Sequence, residues 1–159
     1  MYMKNAGNSH VLSSLARDRI RFLLVVVFLV IASRLRRIRD RRRGEALSRL
    51  DGQEILHLDD FANFFGQQTL GASSPRGNCI LLITSDRLIV ELWVPARTIE
   101  IDLTAVQSVE TTRTFLRKSV GRRLLLVNFQ LPGEAPDAIG LYVRSLDSTV
   151  QKIQNLSTP

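Results

Sequence analysis

Residues 79–93 read CILLITSDRLIVELW, two apolar runs rich in Ile, Leu and Val, separated by the polar pair Ser85-Asp86. Cys79 to Thr84 is a short apolar run, and Arg87 to Trp93 is a second β-rich segment. A two-residue polar break between β-rich segments makes a hairpin, from Cys79–Thr84 into Arg87–Trp93.

Working outward, Pro95 ends the second arm. Residues 97–102 then alternate, with Ile99 and Ile101 on one face and Thr98, Glu100 and Asp102 on the other. Leu103 to Val106 reads as a tight turn, and Gln107 to Thr114 as an exposed strand in which Val109 is apolar among polar neighbours. Phe115 to Arg123 is a basic connection, Leu124 to Gln130 a strongly apolar strand, Leu131 to Pro136 a loop, and Ala138 to Arg144 a last strand. Upstream, Ile55–Leu58 and Ala62–Phe65 form one long bent strand, and Gly66 to Gly77 forms a loop. Leu146, Val150, Ile153 and Leu156 recur at helical spacing, with Asp147 in the first turn. A helix this short is unstable alone in water, so its apolar stripe must lie against the sheet. The expected fold is mainly β: a seven-stranded small barrel or sandwich closed at one end by a C-terminal helix.

The chain has 159 residues, room for one ordinary domain and an extension, with the composition of a folded protein. One cysteine, Cys79, excludes an internal disulfide and a cysteine-built metal site. The charge is uneven. Residues 1–44 hold eleven Lys/Arg against two acids, +9, and residues 45–159 hold eleven against thirteen, −2, which together make the net +7. The basic front implies an anionic partner, either a membrane surface or nucleic acid.

Within that front, Phe22 to Ala32 (FLLVVVFLVIA) is apolar without interruption. As helix it rises roughly 16 Å, about half of a bilayer's hydrocarbon thickness. Leu12, Leu15, Ala16 and Ile20 keep helical spacing ahead of it, and Glu45 to Leu50 continues as one helical turn behind it. The next stretch, residues 34–43, holds seven arginines: Arg34, Arg36, Arg37, Arg39, Arg41, Arg42 and Arg43. The preceding flank has only Lys4, Arg17, Arg19 and Arg21. This pattern predicts a single-pass transmembrane or monotopic anchor at the cell (inner) membrane. The positive-inside tendency puts the C-terminal side in the cytoplasm, and the arginines meet anionic headgroups. Residues 1–44 are then anchor and juxtamembrane segment, and residues 45–159 the β domain. The rival readings are a cleaved signal peptide, a buried core helix, and a nucleic-acid-binding arm made of residues 34–43. Arginines directly after the apolar run oppose the first two, and the valines and leucines before them oppose the third.

The stretch Leu81 to Val90 resembles the LxLTxxRL hairpin of pleckstrin-homology (PH)-like domains of the GRAM type. Trp93-Val94-Pro95, then Ile99 to Leu103 with Val106 and Val109, resembles the segment that follows it. Ala62 to Gly66 and Asp137 to Val143 are similar to bacterial PH-like domain proteins. The resemblance covers residues 52–156. It implies a seven-stranded PH-like barrel with a capping helix and does not imply an activity, because this fold carries many binding functions and few chemistries. The anchor, the arginine belt and a body lacking catalytic constellations lead to the expectation of a non-enzymatic binding or scaffolding module for a membrane-associated protein or anionic lipid, with no cofactor. PH domains that bind phosphoinositides resemble one another in a Lys/Arg-rich connection between the first two strands, whereas here that connection holds only Arg76.

Four sets of residues are candidate sites. Arg113, Arg117, Lys118, Arg122 and Arg123 form a possible second basic contact, set against a plain solvated loop. His57 with Asp59 and Asp60 reads as a surface pair, since the supporting metal or acid–base partners are missing. Asp51, Glu54, Glu100, Asp102 and Glu110 suit the polar faces of strands and are not brought together by spacing. Cys79 behaves as a small buried hydrophobe.

Overall fold

The computed structural model describes residues 8–50 and 52–157, with side chains described from residue 19 onward. The chain divides into two units, residues 1–38 and residues 39–159. Helix α1 (Asn8–Arg49) supplies all the described backbone of the first unit and the opening turns of the second. Along it, Ile20, residues 22–31 and Leu35 are exposed large apolar side chains on every side of the helix. The expected transmembrane helix is not met: among the described residues no helix is long and apolar enough to cross a membrane. The apolar run is eleven residues long and is bracketed by Arg19 and Arg21 before it and by Arg34, Arg36 and Arg37 after it.

In the second unit seven strands form one antiparallel sheet: β1 (His57–Gln67), β2 (Gly77–Ile83), β3 (Arg87–Leu92), β4 (Arg97–Asp102), β5 (Val106–Thr112), β6 (Leu124–Phe129) and β7 (Asp137–Tyr142). A twelve-residue helix, α2 (Leu146–Ser157), follows. The strand order is β4-β3-β2-β1-β7-β6-β5, so β4 and β5 are edges and the sheet does not close into the expected barrel. Leu103–Ala105, a turn of 3-10 helix, joins β4 to β5, and these two strands do not pair. Helix α2 packs against that turn, β5 and β6. Ile153 is fully buried, and Leu146, Val150 and Leu156 lie against the core. Burying Ile153 alone contributes roughly 1.5–3 kcal/mol.

The central hairpin has the anticipated register, Leu81↔Val90 and Ile83↔Leu88. The Thr84 N–H donates to the Arg87 carbonyl across Ser85-Asp86 at 2.9 Å. β1 is the long bent strand, pairing with both β2 and β7. Its register shifts between Asp59 and Ala62 against β2, and between Phe64 and Gly66 against β7. Those two irregularities supply the bend.

Among the described residues two apolar clusters stand out. The larger fills the concave side, with Phe64, Leu81, Val90, Ile101, Leu125, Leu141 and Ile153 among its members. The smaller lies on the other face, where Phe65, Leu124 and Ala138 meet Phe115 and Leu116 from the β5–β6 connection. That connection turns tightly at Phe115–Lys118, with Leu116 and Arg117 at positive φ (51° and 62°) and reciprocal backbone bonds of 2.9 and 2.8 Å. Phe115 sits so close to Gly140 that a Cβ there would lie 2.5 Å from its ring.

The last turns of α1 belong to this unit. Ala46 and Leu50 are buried, and Arg49 bonds to both Glu91 and Thr98. Glu91 is a fully buried carboxylate on β3, and it also accepts the Thr98 hydroxyl at 3.0 Å. A buried charge needs such partners, since its desolvation costs several kcal/mol.

Asp137, at the start of β7, holds the β1–β2 connection in place. Its carboxylate accepts the Thr69 N–H at 3.0 Å, the Thr69 hydroxyl at 2.9 Å, its neighbour's N–H at 2.8 Å and a Gln67 amide N–H. Burial pushes its pKa up, but the hydrogen bonds from Gln67, Thr69 and Ala138 outweigh burial and hold it below the usual value.

Two outcomes are expected. Gly140→Ala lowers the unfolding free energy by about 1–3 kcal/mol through overpacking, and adding Phe115→Ala makes the second change cost less than it does alone. Urea denaturation in mild detergent, read by the fluorescence of Trp93, measures both. Because Asp137 has a depressed folded-state pKa, its contribution is present above the unfolded value near 3.9 and is lost as pH falls through the folded value. Asp137→Asn therefore destabilises by about 1–3 kcal/mol at neutral pH, and the gap from wild type closes in acid.

Candidate functional site

The basic cluster expected in the β5–β6 connection is dispersed by the fold. Lys118 turns inward, its ammonium donating to the Ser74 carbonyl at 2.7 Å and the Phe65 carbonyl at 3.2 Å. It is a structural tie between this connection and β1. Arg123 pairs with Asp147 of α2 at 3.0 Å. Arg113 and Arg117 are exposed. Only Arg122 reaches a concave surface.

That surface is an open groove of about 340 Å³ on the convex face of the sheet. Alternation along β1 puts Phe61, Asn63 and Phe65 on one side of the strand, and these form its floor. Tyr142 adds an aromatic ring from β7, while Val120 and Arg122 form a wall from the β5–β6 connection. Arg76, at the end of the β1–β2 connection, forms another. Its guanidinium lies 4.2 Å from the centre of the Phe65 ring, and its Nε donates to Asn63 Oδ1 at 3.2 Å. Arg122 stands 5.8 Å from the Tyr142 ring centre, and its Nη1 donates to the Tyr142 hydroxyl at 2.7 Å. Phe61 meets two further cations, with Arg144 at 3.7 Å and Arg39 at 5.2 Å from its ring centre. Each cation–aromatic contact contributes on the order of 0.5–1 kcal/mol at an exposed site.

Only Arg122 of the groove belonged to an expected site. Arg76 stood out as the one basic residue of the β1–β2 connection, but its placement against Phe65 depends on pairing between distant strands. Phe61 offered the one local signal: alternation puts it on the side opposite Ala62 and Phe64.

The arginines of residues 34–43 are used unequally. Arg39 pairs with Asp40 at 2.7 Å, Arg41 and Arg42 with Glu45 at 2.7 and 3.1 Å, and Arg43 with Asp60 at 3.7 Å. The Arg41 hydrogen bond and the charges of Arg41, Arg42 and Arg49 hold the Glu45 carboxyl below its usual range despite a smaller opposing desolvation. Arg34, Arg36 and Arg37 are exposed, and no carboxylate among the described residues pairs with them.

The remaining candidates take structural roles. Asp59 is buried rather than on the surface, accepting the Phe61 N–H at 3.0 Å and the Arg144 N–H at 2.8 Å. His57 lies 3.3 Å from the Thr149 hydroxyl, and burial pushes its pKa down, against a smaller upward pull from Asp59. Asp60 answers Arg43. Glu100 and Asp102 share Arg87 at 3.4 and 3.9 Å, Glu110 accepts from Ser108 at 3.0 Å, and Glu54 is exposed. Asp51 lies outside the described residues. Burial pushes the Cys79 thiol far up. Among the described residues no cluster of three His, Cys, Asp or Glu could hold a metal ion.

Stability separates the basic residues by role. Lys118→Ala is expected to lower the unfolding free energy by about 1–3 kcal/mol, because it leaves two carbonyls without their donor. Arg113→Ala and Arg117→Ala change it by less than about 0.5 kcal/mol. Urea titrations of the three variants test this.

No family model matches the chain, and no curated protein matches it. Among solved structures, the C-terminal domain of an unknown protein from Leishmania infantum superimposes with a TM-score of 0.52 at 12% identity, over 71% of this chain and 92% of that one. At that identity the likeness concerns the fold alone. The N-terminal PH domain of Vps36 is similar with a TM-score of 0.45 at 16% identity, over 69% of this chain and 85% of that one, too remote to bear on function.

Proposed function

We propose that this chain is a membrane-attached, non-enzymatic binding module of the PH-like, GRAM type. Its β domain lies on the cytoplasmic side of the cell membrane, and its partner is a membrane-associated protein or anionic lipid. The observation that carries the reading is the stretch of α1 from Phe22 to Ile31, apolar and exposed on every side, followed directly by arginines. A helix apolar all round is unfavourable in water, unlike the one-sided stripe of α2. Ten Phe, Leu, Val and Ile residues favour lipid by roughly 0.3–0.6 kcal/mol each at mid-membrane, a few kcal/mol in all. Exposed Arg34, Arg36 and Arg37 add on the order of 1 kcal/mol each against an anionic surface.

The run is shorter than a span, so the attachment proposed is a helix seated in one leaflet with its arginines at the headgroups. The PH-like reading is supported by the hairpin motif, the strand sequence and the C-terminal helix. A nucleic-acid arm is disfavoured, because it would leave the exposed apolar run Phe22–Ile31 ahead of the arginines unexplained.

Cell fractionation tests the attachment. The full-length chain is expected to stay in the membrane pellet through a carbonate wash. Replacing Val26 and Leu29 by aspartate is expected to release most of it. Release of the wild type by high salt alone is the result that would sink an apolar anchor and leave only electrostatic adhesion.

A further inference from the structure

We propose that the groove between Arg76 and Arg122 takes an extended acidic peptide, with apolar side chains beside its carboxylates, from a protein at the same membrane. The inference rests on the reading of the chain as a binding module and names the chemistry of its partner.

The walls argue for acid. Both guanidiniums are braced by aromatic rings, Arg76 on Phe65 and Arg122 on Tyr142, which limits the rotamer freedom lost on binding. Arg76 spends its Nε on Asn63 and Arg122 one Nη1 N–H on the Tyr142 hydroxyl, and the remaining guanidinium N–H groups are of the kind that grips a carboxylate. Among the described residues no Asp or Glu lines the groove, so the positive charge there is uncompensated from within.

The apolar lining argues for a peptide over a bare anion. Phe61 is 45% exposed and Val120 40% exposed, apolar surface that an anionic headgroup would not use. Between them Asn63 donates to Asn78 Oδ1 at 2.9 Å, which leaves the Asn78 amide N–H groups to meet a backbone carbonyl. About 340 Å³ of open groove suits a few side chains of a chain passing through. Charge complementarity and apolar area therefore select the same occupant.

The test uses the full-length chain reconstituted in phosphatidylcholine liposomes and floated on a density gradient. The probes are short dye-labelled peptides in which glutamate alternates with leucine, and the same peptides with lysine in place of glutamate. The glutamate peptides are expected to float with the protein, and the lysine peptides to stay behind. Arg76→Glu with Arg122→Glu is expected to weaken retention at least about tenfold. Val120→Asp, which adds a charge at an exposed position, is expected to act in the same direction. An unchanged Trp93 unfolding transition shows that each variant is folded. Equal retention of both peptides, or retention undiminished in the folded variants, overturns the proposal. So does a double variant that loses recruitment of phosphatidylserine vesicles while it still holds the peptide, because the groove would then belong to headgroups. Peptide failure with flotation intact sinks this inference alone, whereas a chain that does not float sinks the membrane reading itself.

Discussion

The β domain depends on two places where the sheet backbone carries no side chain. At Gly140 a Cβ would strike the Phe115 ring, and at Gly66 it would fall 2.7 Å from Leu116. These gaps let the β5–β6 connection fold down on the convex face and bury Phe115 and Leu116 over Phe65 and Ala138. A sheet of this kind keeps one face on its core, and here part of the opposite face is covered too, with Ile80 and Leu82 of β2 and Ile89 of β3 buried. Covering part of that second face turns a flat surface into a walled one. Val120 and Arg122 stand above the sheet because the residues just before them are pinned beneath.

The same contact explains why the basic residues of one connection have such different roles. Lys118 reaches the carbonyls of Phe65 and Ser74 only because the turn at Phe115–Lys118 brings it back over β1. Ser74 is itself buried and accepts the Gln67 N–H at 2.8 Å, so the β1–β2 connection is tied from both sides. Asp137 completes the tie from β7. Arg76, which follows Ser74 by two residues, therefore emerges from a braced segment. A guanidinium on such a base is a better binding wall than one on a free loop, because less entropy is lost when it engages.

Charge on the front of the chain is divided in a comparable way. The pairs at Arg39, Arg41 and Arg42 are local pairs along a helix, worth a few tenths of a kcal/mol each, and they do not neutralise the segment. Arg49 is different in kind, since its partner Glu91 is fully buried and would be left uncompensated without it. The arginines therefore run from exposed at Arg34–Arg37 to structural at Arg49. This suits a segment that faces an anionic surface at one end and joins a folded domain at the other.

Much of the β domain could be read from residues alone, because hairpin, alternation and helical spacing are local patterns imposed by backbone geometry. The strands came out within a few residues of their expected bounds, and α2 was legible from four apolar positions. The open sheet was not legible: whether β4 and β5 pair depends on the twist summed over seven strands and on how α2 fills the space, and no short stretch encodes either. The groove was hidden for a related reason. Phe61, Arg76, Arg122 and Tyr142 are spread across the sequence and meet only through the β1–β2 and β1–β7 registers. Their own neighbours are ordinary turn and strand residues. The sequence by itself determined the elements, the apolar run of α1 and the sign of its flanks, since these follow from the order of side chains along one backbone. Tertiary structure alone decided which cations are buried, which are paired and which face a ring, since those outcomes depend on distances between strands far apart in the chain.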